Sequence, residues 1–274
     1  MAKDVPGDVL RGSSRFEDTS WTQILRAQQT RTGHRRQAIG AIMAQYWRPV
    51  YFFLRRWGMD AEKARDVTQG FFCEIVWGRK LIQRATKAEG RKKRFRSFLL
   101  TALRNYLKDL HATEQASKRK PPGGVLSLEG EDIPDIPEPA GSCSPEQAYE
   151  FTWAATLLRE AVEETVAGCR RDGLDKHWEV FHATEIQPKL FGGEAPPLRE
   201  LCERLDIRSS ATTKAAERAS AMKVQVQRRF RAIIRRRVRR DVDGEQDVQA
   251  EIQEIARILL RNRAGLAEVF RMAE

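Results

Sequence analysis

The chain has 274 residues, and its 49 lysines and arginines outnumber its 38 aspartates and glutamates, which gives a formal net charge of +11. This length allows one or two domains with cores large enough to fold without disulfide bonds. No apolar run is long enough to span a bilayer and the first twenty residues are polar, so we expect a cytoplasmic protein without membrane contact. The positive charge favours a polyanionic partner, of which nucleic acid is the commonest.

The sequence carries no pattern typical of an enzyme or a metal protein. Its cysteines, at positions 73, 143, 169 and 202, form no CxxC pair, which indicates a reducing compartment and no zinc site. Cys73 and Cys202 fall within apolar stripes and are predicted to be buried. Because no nucleophile elbow, phosphate-binding loop or paired acidic motif is present, we predict no catalytic residue, no metal and no cofactor.

Apolar residues recur at helical spacing along most of the chain, and no stretch alternates as a half-buried strand does, so the predicted fold class is all-α. Residues 1–18 are predicted to be a disordered tail. Thr19 or Ser20 is a suitable cap for a short helix, and a longer helix is predicted over 35–57, with Gly58 ending it.

Asp60 is predicted to cap the next helix. Ala64, Val67 and Phe71 share one face of this helix. The opposite face carries three polar side chains, Asp66, Gln69 and Glu74. This spacing predicts a buried apolar stripe beside an exposed acidic and polar one.

A basic segment precedes the third predicted helix, which extends from about 95 to 116. Its cations are Arg91, Lys92, Lys93, Arg94 and Arg96, and they flank Phe95. Cations beside an aromatic ring suit single-stranded or melted nucleic acid, because phosphates take the charge while a base stacks. The alternative is a charged surface loop with Phe95 in the core. Residues 19–120 are predicted to form the first domain.

Residues 121–144 differ in composition from both neighbouring regions. They contain five prolines, four glycines and five acidic residues but no lysine or arginine. Such a segment lacks the apolar residues that a core needs, so it is predicted to be an extended acidic linker between two domains.

The second predicted domain, residues 145–240, begins with a helix start signal at Ser144 and Pro145. A helix over 174–186 is predicted to stop before Pro188. A short helix from about Leu198, a tight turn and a long basic helix then follow, which is the pattern of a helix-turn-helix. The tail, 241–274, has apolar residues at helical spacing, and it could pack on this domain, shield it or bind a regulator.

In the long helix, Met222, Val226 and Phe230 define the inward face. The opposite side suits DNA, because Gln and Arg pair with base edges or phosphates and an exposed Val contacts a thymine methyl. The run RRRVRR at its end has the density expected of phosphate contacts. The alternative is a solvated amphipathic helix. The candidate residues for duplex DNA are Ser220, Lys223, Val224, Gln227, Arg228, Arg231 and Arg235.

Two pairs of segments resemble the conserved regions of one family. The stretch DAEKARDVTQGFFCEIVWGRKLI with RFRSFLLTALRNYLKDLHATEQASKRK resembles the second conserved region of extracytoplasmic-function sigma factors. The stretch PPLRELCERLDIRSS with AERASAMKVQVQRRFRAIIRRRV resembles their fourth region. The resemblance covers about two-thirds of the chain and corresponds to a divergent branch of that family.

The resemblance implies a transcription-initiation factor that works near the nucleoid and performs no catalysis. It implies that Asp66, Gln69 and Glu74 contact bacterial core RNA polymerase. The basic segment, with Asn105, Lys108 and His111, would hold the melted element of promoter DNA, and the helix-turn-helix would recognise the upstream element. An anti-sigma factor or other regulator is a further expected partner. The competing hypothesis is a basic helical RNA-binding or adaptor protein without polymerase contact.

Overall fold

The structure is a computed structural model that describes residues 32–77, 94–117, 143–190, 192–207, 212–242, 244–262 and 265–266. Every regular element in these residues is a helix, which confirms the all-α prediction. The helices are α1 Thr32–Arg56, α2 Ala61–Phe71, α3 Phe95–Ser117, α4 Pro145–Arg171, α5 Asp175–Phe181, α6 Leu198–Arg204, α7 Thr212–Arg239 and α8 Glu245–Arg261. The π-helical turn Phe72–Trp77 extends α2.

The predicted caps lie where the sequence placed them. Asp60 accepts a hydrogen bond from the backbone N–H of Lys63 at 2.8 Å. Ser144 and Gln147 form a reciprocal capping box at the start of α4, with Pro145 in the first turn. Gly58, with φ of 104°, follows the end of α1 in a conformation that favours glycine.

The helix that starts at Asp175 does not stop before Pro188, contrary to the prediction. It continues through the π-helical turn His182–Ile186 into a last helical turn, Gln187–Leu190. The backbone N–H of Gln187 donates to the carbonyl of His182, five residues earlier. This wider register removes the proline from the ordinary i to i−4 ladder, in which it would clash and lack a donor.

One hydrophobic core joins helices from both sides of the predicted linker. It contains Tyr46 of α1, Phe71 of α2, Leu103 of α3, Trp153 of α4 and Ile255 of α8. The packing of α1 on α4 is the most extensive helix contact among the described residues. In this structure the predicted domains 19–120 and 145–240 therefore share a core, and the tail helix α8 belongs to it.

A second, smaller core holds α5, α6 and α7 together. Val180 of α5, Leu201 and Cys202 of α6, and Ala215 and Met222 of α7 are its main buried members. Cys202 also donates a thiol hydrogen bond to the carbonyl of Ala215, which ties α6 to the first turns of α7. These contacts fix the position of α7 relative to α6.

Several predictions fall on residues outside the described ranges. They are the tail 1–18, the short helix after Thr19 or Ser20, the cations Arg91, Lys92 and Lys93, and residues 121–142 of the predicted linker. Cys202 is buried as expected, but Cys73 is exposed, because it lies on the solvent side of the π-helical turn. None of the described helices is long and apolar enough to cross a membrane.

Candidate nucleic-acid interface

A short turn connects α6 to the segment before α7. The backbone N–H of Ile207 donates to the carbonyl of Cys202 at 2.9 Å, and Asp206 has a positive φ of 48°. Aspartate tolerates this left-handed conformation better than most residues do. Lys176 of α5 donates to the Asp206 carbonyl at 3.1 Å, so a third helix braces the turn.

The exposed face of α7 contains the central residues of the predicted DNA-contacting row. Val224, Arg228 and Arg231 are exposed, and Val224 retains 36% of its accessible surface. Ser220, Lys223 and Gln227 are half-buried beside the core-facing row, and Lys223 pairs with Glu185 at 3.2 Å. These three residues therefore lie at the edge of the exposed face, which is rotated slightly from the predicted one.

Sequence reasoning missed three exposed polar residues in the first half of α7. Lys214, Arg218 and Gln225 are exposed and continue the same face toward the turn. Successive positions from Lys214 through Arg218 and Gln225 to Arg228 are four, seven and three residues apart, as one face of a helix requires, so the signal was present once the start of the helix at Thr212 was known. In a helix-turn-helix, the N-terminal residues of the second helix lie nearest the base edges.

The arginine-rich end of α7 is engaged within the chain. Arg236 and Arg237 pair with Glu164, and Arg237 also pairs with Glu160, both on α4. Burial alone would raise the pKa of Glu164, but the hydrogen bonds from the two arginines outweigh it and lower that pKa below its ordinary value. These pairs clamp α7 to α4, and the contact of the RRRVRR run with phosphates stays a prediction.

Arg235, predicted to contact DNA, is also engaged. It pairs with Glu245 of α8 at 3.1 Å, and Arg239 pairs with the same carboxylate. Among the described residues, the ion pairs of α7 leave out Lys214, Arg228 and Arg231. Charge available to a polyanion on this face is therefore concentrated at these three cations.

The described part of the basic segment points partly inward. Arg96 is only 3% exposed, with its Nε 2.9 Å from Glu251 Oε1 and its guanidinium carbon 4.6 Å from the centroid of the Trp153 ring. Arg94 is 40% exposed and pairs with the other oxygen of Glu251 at 2.6 Å. The prediction of Arg96 as a surface contact to nucleic acid is wrong for this conformation, because Glu251 and Trp153 enclose it.

The exposed side of α3 retains the other residues predicted for melted DNA. Lys108 and His111 are exposed and Asn105 is half-buried. Arg104, one turn before Lys108, was missed, and it pairs with Glu146 of α4 at 2.5 Å. The hydrogen bond from Arg104 lowers the pKa of Glu146.

The predicted polymerase-contacting residues lie on the outer side of α2 and its extension. Asp66 and Glu74 are exposed and Gln69 is half-buried. Lys63 and Arg65 are exposed on the same helix, so its solvent side carries both signs of charge. A partner that docks here must complement a mixed pattern.

Packing against α3 fixes the position of α2. Tyr106 of α3 lies so close to Gly70 that a Cβ there would be 2.6 Å from the Tyr106 hydroxyl oxygen. Burial, reinforced by Glu74 and Cys73, raises the pKa of Tyr106 to about 12. Glycine at position 70 thus permits the close contact that holds the exposed side of α2 in place.

No group of His, Cys, Asp or Glu within the described part of the chain is arranged to hold a metal ion. The features that the structure brings together are a braced turn after α6, an exposed cationic row on α7 and a basic segment in contact with α8. Comparisons with models of known protein families, with characterised proteins and with solved structures give no match.

Proposed function

We propose that this chain is a sigma-type specificity factor that binds bacterial core RNA polymerase and directs it to promoter DNA. The observation that carries the proposal is the exposed row Val224, Arg228 and Arg231 on the second helix of a helix-turn-helix. Neighbouring arginines of the same helix are neutralised by glutamates of α4 and α8. The net charge of +11 adds long-range attraction for a polyanion.

In this proposal α7 enters the major groove of the upstream element. Arg228 and Arg231 supply fork-shaped donors for guanine or phosphate, while Val224 offers an apolar contact to a thymine methyl. Lys214 and Arg218, nearer the turn, add contacts at the other end of the same face. The small core around Cys202 and Ala215 keeps these side chains in register with the turn.

The N-terminal half supplies the other two contacts of the proposal. The exposed side of α2 with Asp66 and Glu74 binds the polymerase, and its charges give specificity through complementary charges on the partner. Lys108 and His111 of α3, with the basic segment, hold the melted strand. Capturing an unstacked base must offset an unstacking cost of a few kcal/mol, which explains why several cations serve one site.

Reconstitution tests the proposal directly. The purified chain is mixed with bacterial core polymerase and fragmented genomic DNA, the bound DNA is sequenced, and the recovered fragments become templates for transcription. We expect initiation at defined start sites that depends on the added chain. Binding to RNA without any polymerase-dependent initiation would instead favour the RNA-binding or adaptor hypothesis and overturn the proposal.

A pair of variants tests the polymerase surface. Asp66→Ala removes an exposed charge from α2, and Asp109→Ala removes one from the exposed side of α3. We expect only the first to weaken association with core polymerase, measured by co-purification and by titration of initiation. Equal weakening by both variants would show that net charge, and not the α2 surface, governs the association.

A further inference from the structure

Helix α8 carries two glutamates that each bind two arginines. Glu251 pairs with Arg94 and Arg96 of the basic segment, and Glu245 pairs with Arg235 and Arg239 of α7. These four cations come from the two surfaces predicted to contact nucleic acid. One helix therefore neutralises part of both surfaces at once.

The two glutamates lie in different environments. Glu251 is completely buried, and Arg96 is almost so. Glu245 is exposed, as are its two arginines. The pair of Glu251 with Arg96 is therefore closed to any polyanion while α8 stays in place, whereas Arg94 and the Glu245 contact face solvent and are screened by salt.

The segment that connects α7 to α8 is also bonded to α1 and to the start of α3. Asp241 is fully buried and accepts hydrogen bonds from Tyr46 of α1 at 2.7 Å and from Gln45 at 3.0 Å. Its carbonyl also accepts from the backbone N–H of Phe95 at the start of α3, at 3.1 Å. The start of α3 is therefore bonded to the segment that leads into α8 as well as to α8 itself.

We propose that α8 is an autoinhibitory helix whose Glu245 and Glu251 occupy arginines that nucleic acid needs, so that binding requires α8 to move away. A carboxylate and a phosphate compete for the same guanidinium donors. This inference rests on the proposed function only for the identity of the two surfaces. It predicts that release of α8 strengthens the binding of nucleic acid at both surfaces.

The apolar face of α8 gives the closed state its other stabilising contacts. Val248, Ile255, Ile258 and Leu259 are buried against the shared core, and α8 contacts both α4 and α7. A ligand that displaces α8 must offset the exposure of these side chains. Several arginine–phosphate pairs that form together supply that compensation. The affinity for nucleic acid should therefore fall steeply as the salt concentration rises.

Charge-matched variants of α8 test the inference in the full-length chain. Glu245→Gln and Glu251→Gln each remove one carboxylate that binds arginines of other segments. Glu254→Gln is the control, because Glu254 pairs with Arg257 within α8 itself. The affinity for a labelled duplex of mixed sequence and for a labelled single strand is measured by fluorescence anisotropy.

We expect Glu245→Gln to bind the duplex several-fold more tightly than Glu254→Gln does, and Glu251→Gln to bind the single strand about tenfold more tightly. Affinities equal to those of Glu254→Gln would overturn the inference. Because Glu251→Gln leaves Arg96 buried without its counter-ion and risks unfolding, hydrogen exchange on the unaltered chain provides a second measurement. Amides of α8 should lose protection when the oligonucleotides bind, and unchanged protection in the complex would equally overturn the inference.

The results separate this inference from the proposed function. Tighter binding by the α8 variants without initiation by core polymerase would support autoinhibition and reject the sigma-type role. Promoter-dependent initiation with unchanged affinities in Glu245→Gln would support the sigma-type role and reject autoinhibition.

Discussion

Replacing Asp241 by asparagine should change how the stability of the chain depends on pH. Burial raises the pKa of Asp241 from 3.8 to about 6, and the nearby carboxylate of Glu251 adds to the shift. Hydrogen bonds from Tyr46 and Gln45 and the charge of Arg96 act in the opposite direction but are weaker in sum. The folded chain therefore holds this proton more tightly than the unfolded chain does.

The sign of the effect follows from proton linkage. Below about pH 4 both states carry the proton, so Asp241 makes no difference to stability. Between about pH 4 and pH 6 only the folded state keeps it, and the free energy of unfolding falls as pH rises. Above about pH 6 the carboxylate is ionised in both states. The total loss in the free energy of unfolding is then about 3 kcal/mol, since the pKa shift is about two units and each unit corresponds to about 1.4 kcal/mol.

Asparagine has nearly the same shape but does not titrate. Its oxygen can still accept from Tyr46, whose hydroxyl is 2.7 Å from the carboxylate, and the Gln45 amide must turn over to accept from the new NH₂ group. We therefore expect Asp241→Asn to lose the part of the pH dependence that Asp241 causes. Its stability relative to the natural chain should rise by about 3 kcal/mol between pH 4 and pH 7.

Urea unfolding followed by circular dichroism, repeated from about pH 4 to about pH 8, measures this difference. Asp109→Asn, the same change at an exposed position on α3, is the control. A flat difference for Asp241→Asn would show that burial does not perturb this carboxylate. If Asp241→Asn instead loses stability relative to the natural chain as pH rises, the ionised form of Asp241 is stabilised by its partners.

Three further changes test separate parts of the structure. Arg228→Ala should weaken promoter binding by about 1 to 3 kcal/mol if Arg228 contacts a base. Arg257→Ala, a charge-matched change on α8, is the control and should have little effect in the same anisotropy assay. Equal loss of affinity for random DNA would mark Arg228 as a phosphate contact. Ser144→Ala should lower the free energy of urea unfolding by about 1 kcal/mol through loss of the capping box, and an unchanged midpoint would contradict this. Phe71→Ala should cost about 3 to 5 kcal/mol by opening a cavity in the shared core, and a cost below about 1 kcal/mol in calorimetry would show that Phe71 is not packed as described.

Local signals in the sequence were sufficient for most helix bounds. Asp60 and Ser144 are polar residues placed just before apolar periodic stretches, and both accept the capping bonds expected of them. Gly58 provided the stop signal after α1. These features depend on residues within one or two helical turns, so they can be predicted without knowledge of the fold.

The extension through Pro188 could not be predicted in that way. A proline often marks the end of a helix, and here a change of hydrogen-bond register comes just before Pro188 as the helix continues. The turn that makes this change contains Ala183 and Ile186, which are buried against other helices. Tertiary packing, which no local pattern encodes, therefore decided where α5 and its extension end.

The candidate interface was predictable in position but not in charge. Helical spacing identified the outward face of α7, since the inward residues Met222 and Val226 are apolar. It could not show that Arg235 faces Glu245 or that Arg96 meets Glu251, because these partners are far apart in sequence or separated by a turn. A count of arginines therefore overestimates the charge that this conformation offers to a ligand.

The same pairing explains how one sequence can be strongly basic and still fold compactly. Unpaired arginines at the end of α7 would repel one another and the basic segment, whereas Glu160 and Glu164 of α4 neutralise them at the helix interface. Removing one partner of an enclosed pair costs more than the pair itself contributes, because the other charge is left without compensation. The glutamates of α4 hold arginines that stabilise the fold, and those of α8 hold arginines that a nucleic acid could recruit. Displacement of α8 would therefore convert structural charge into binding charge without disturbing the clamp between α7 and α4.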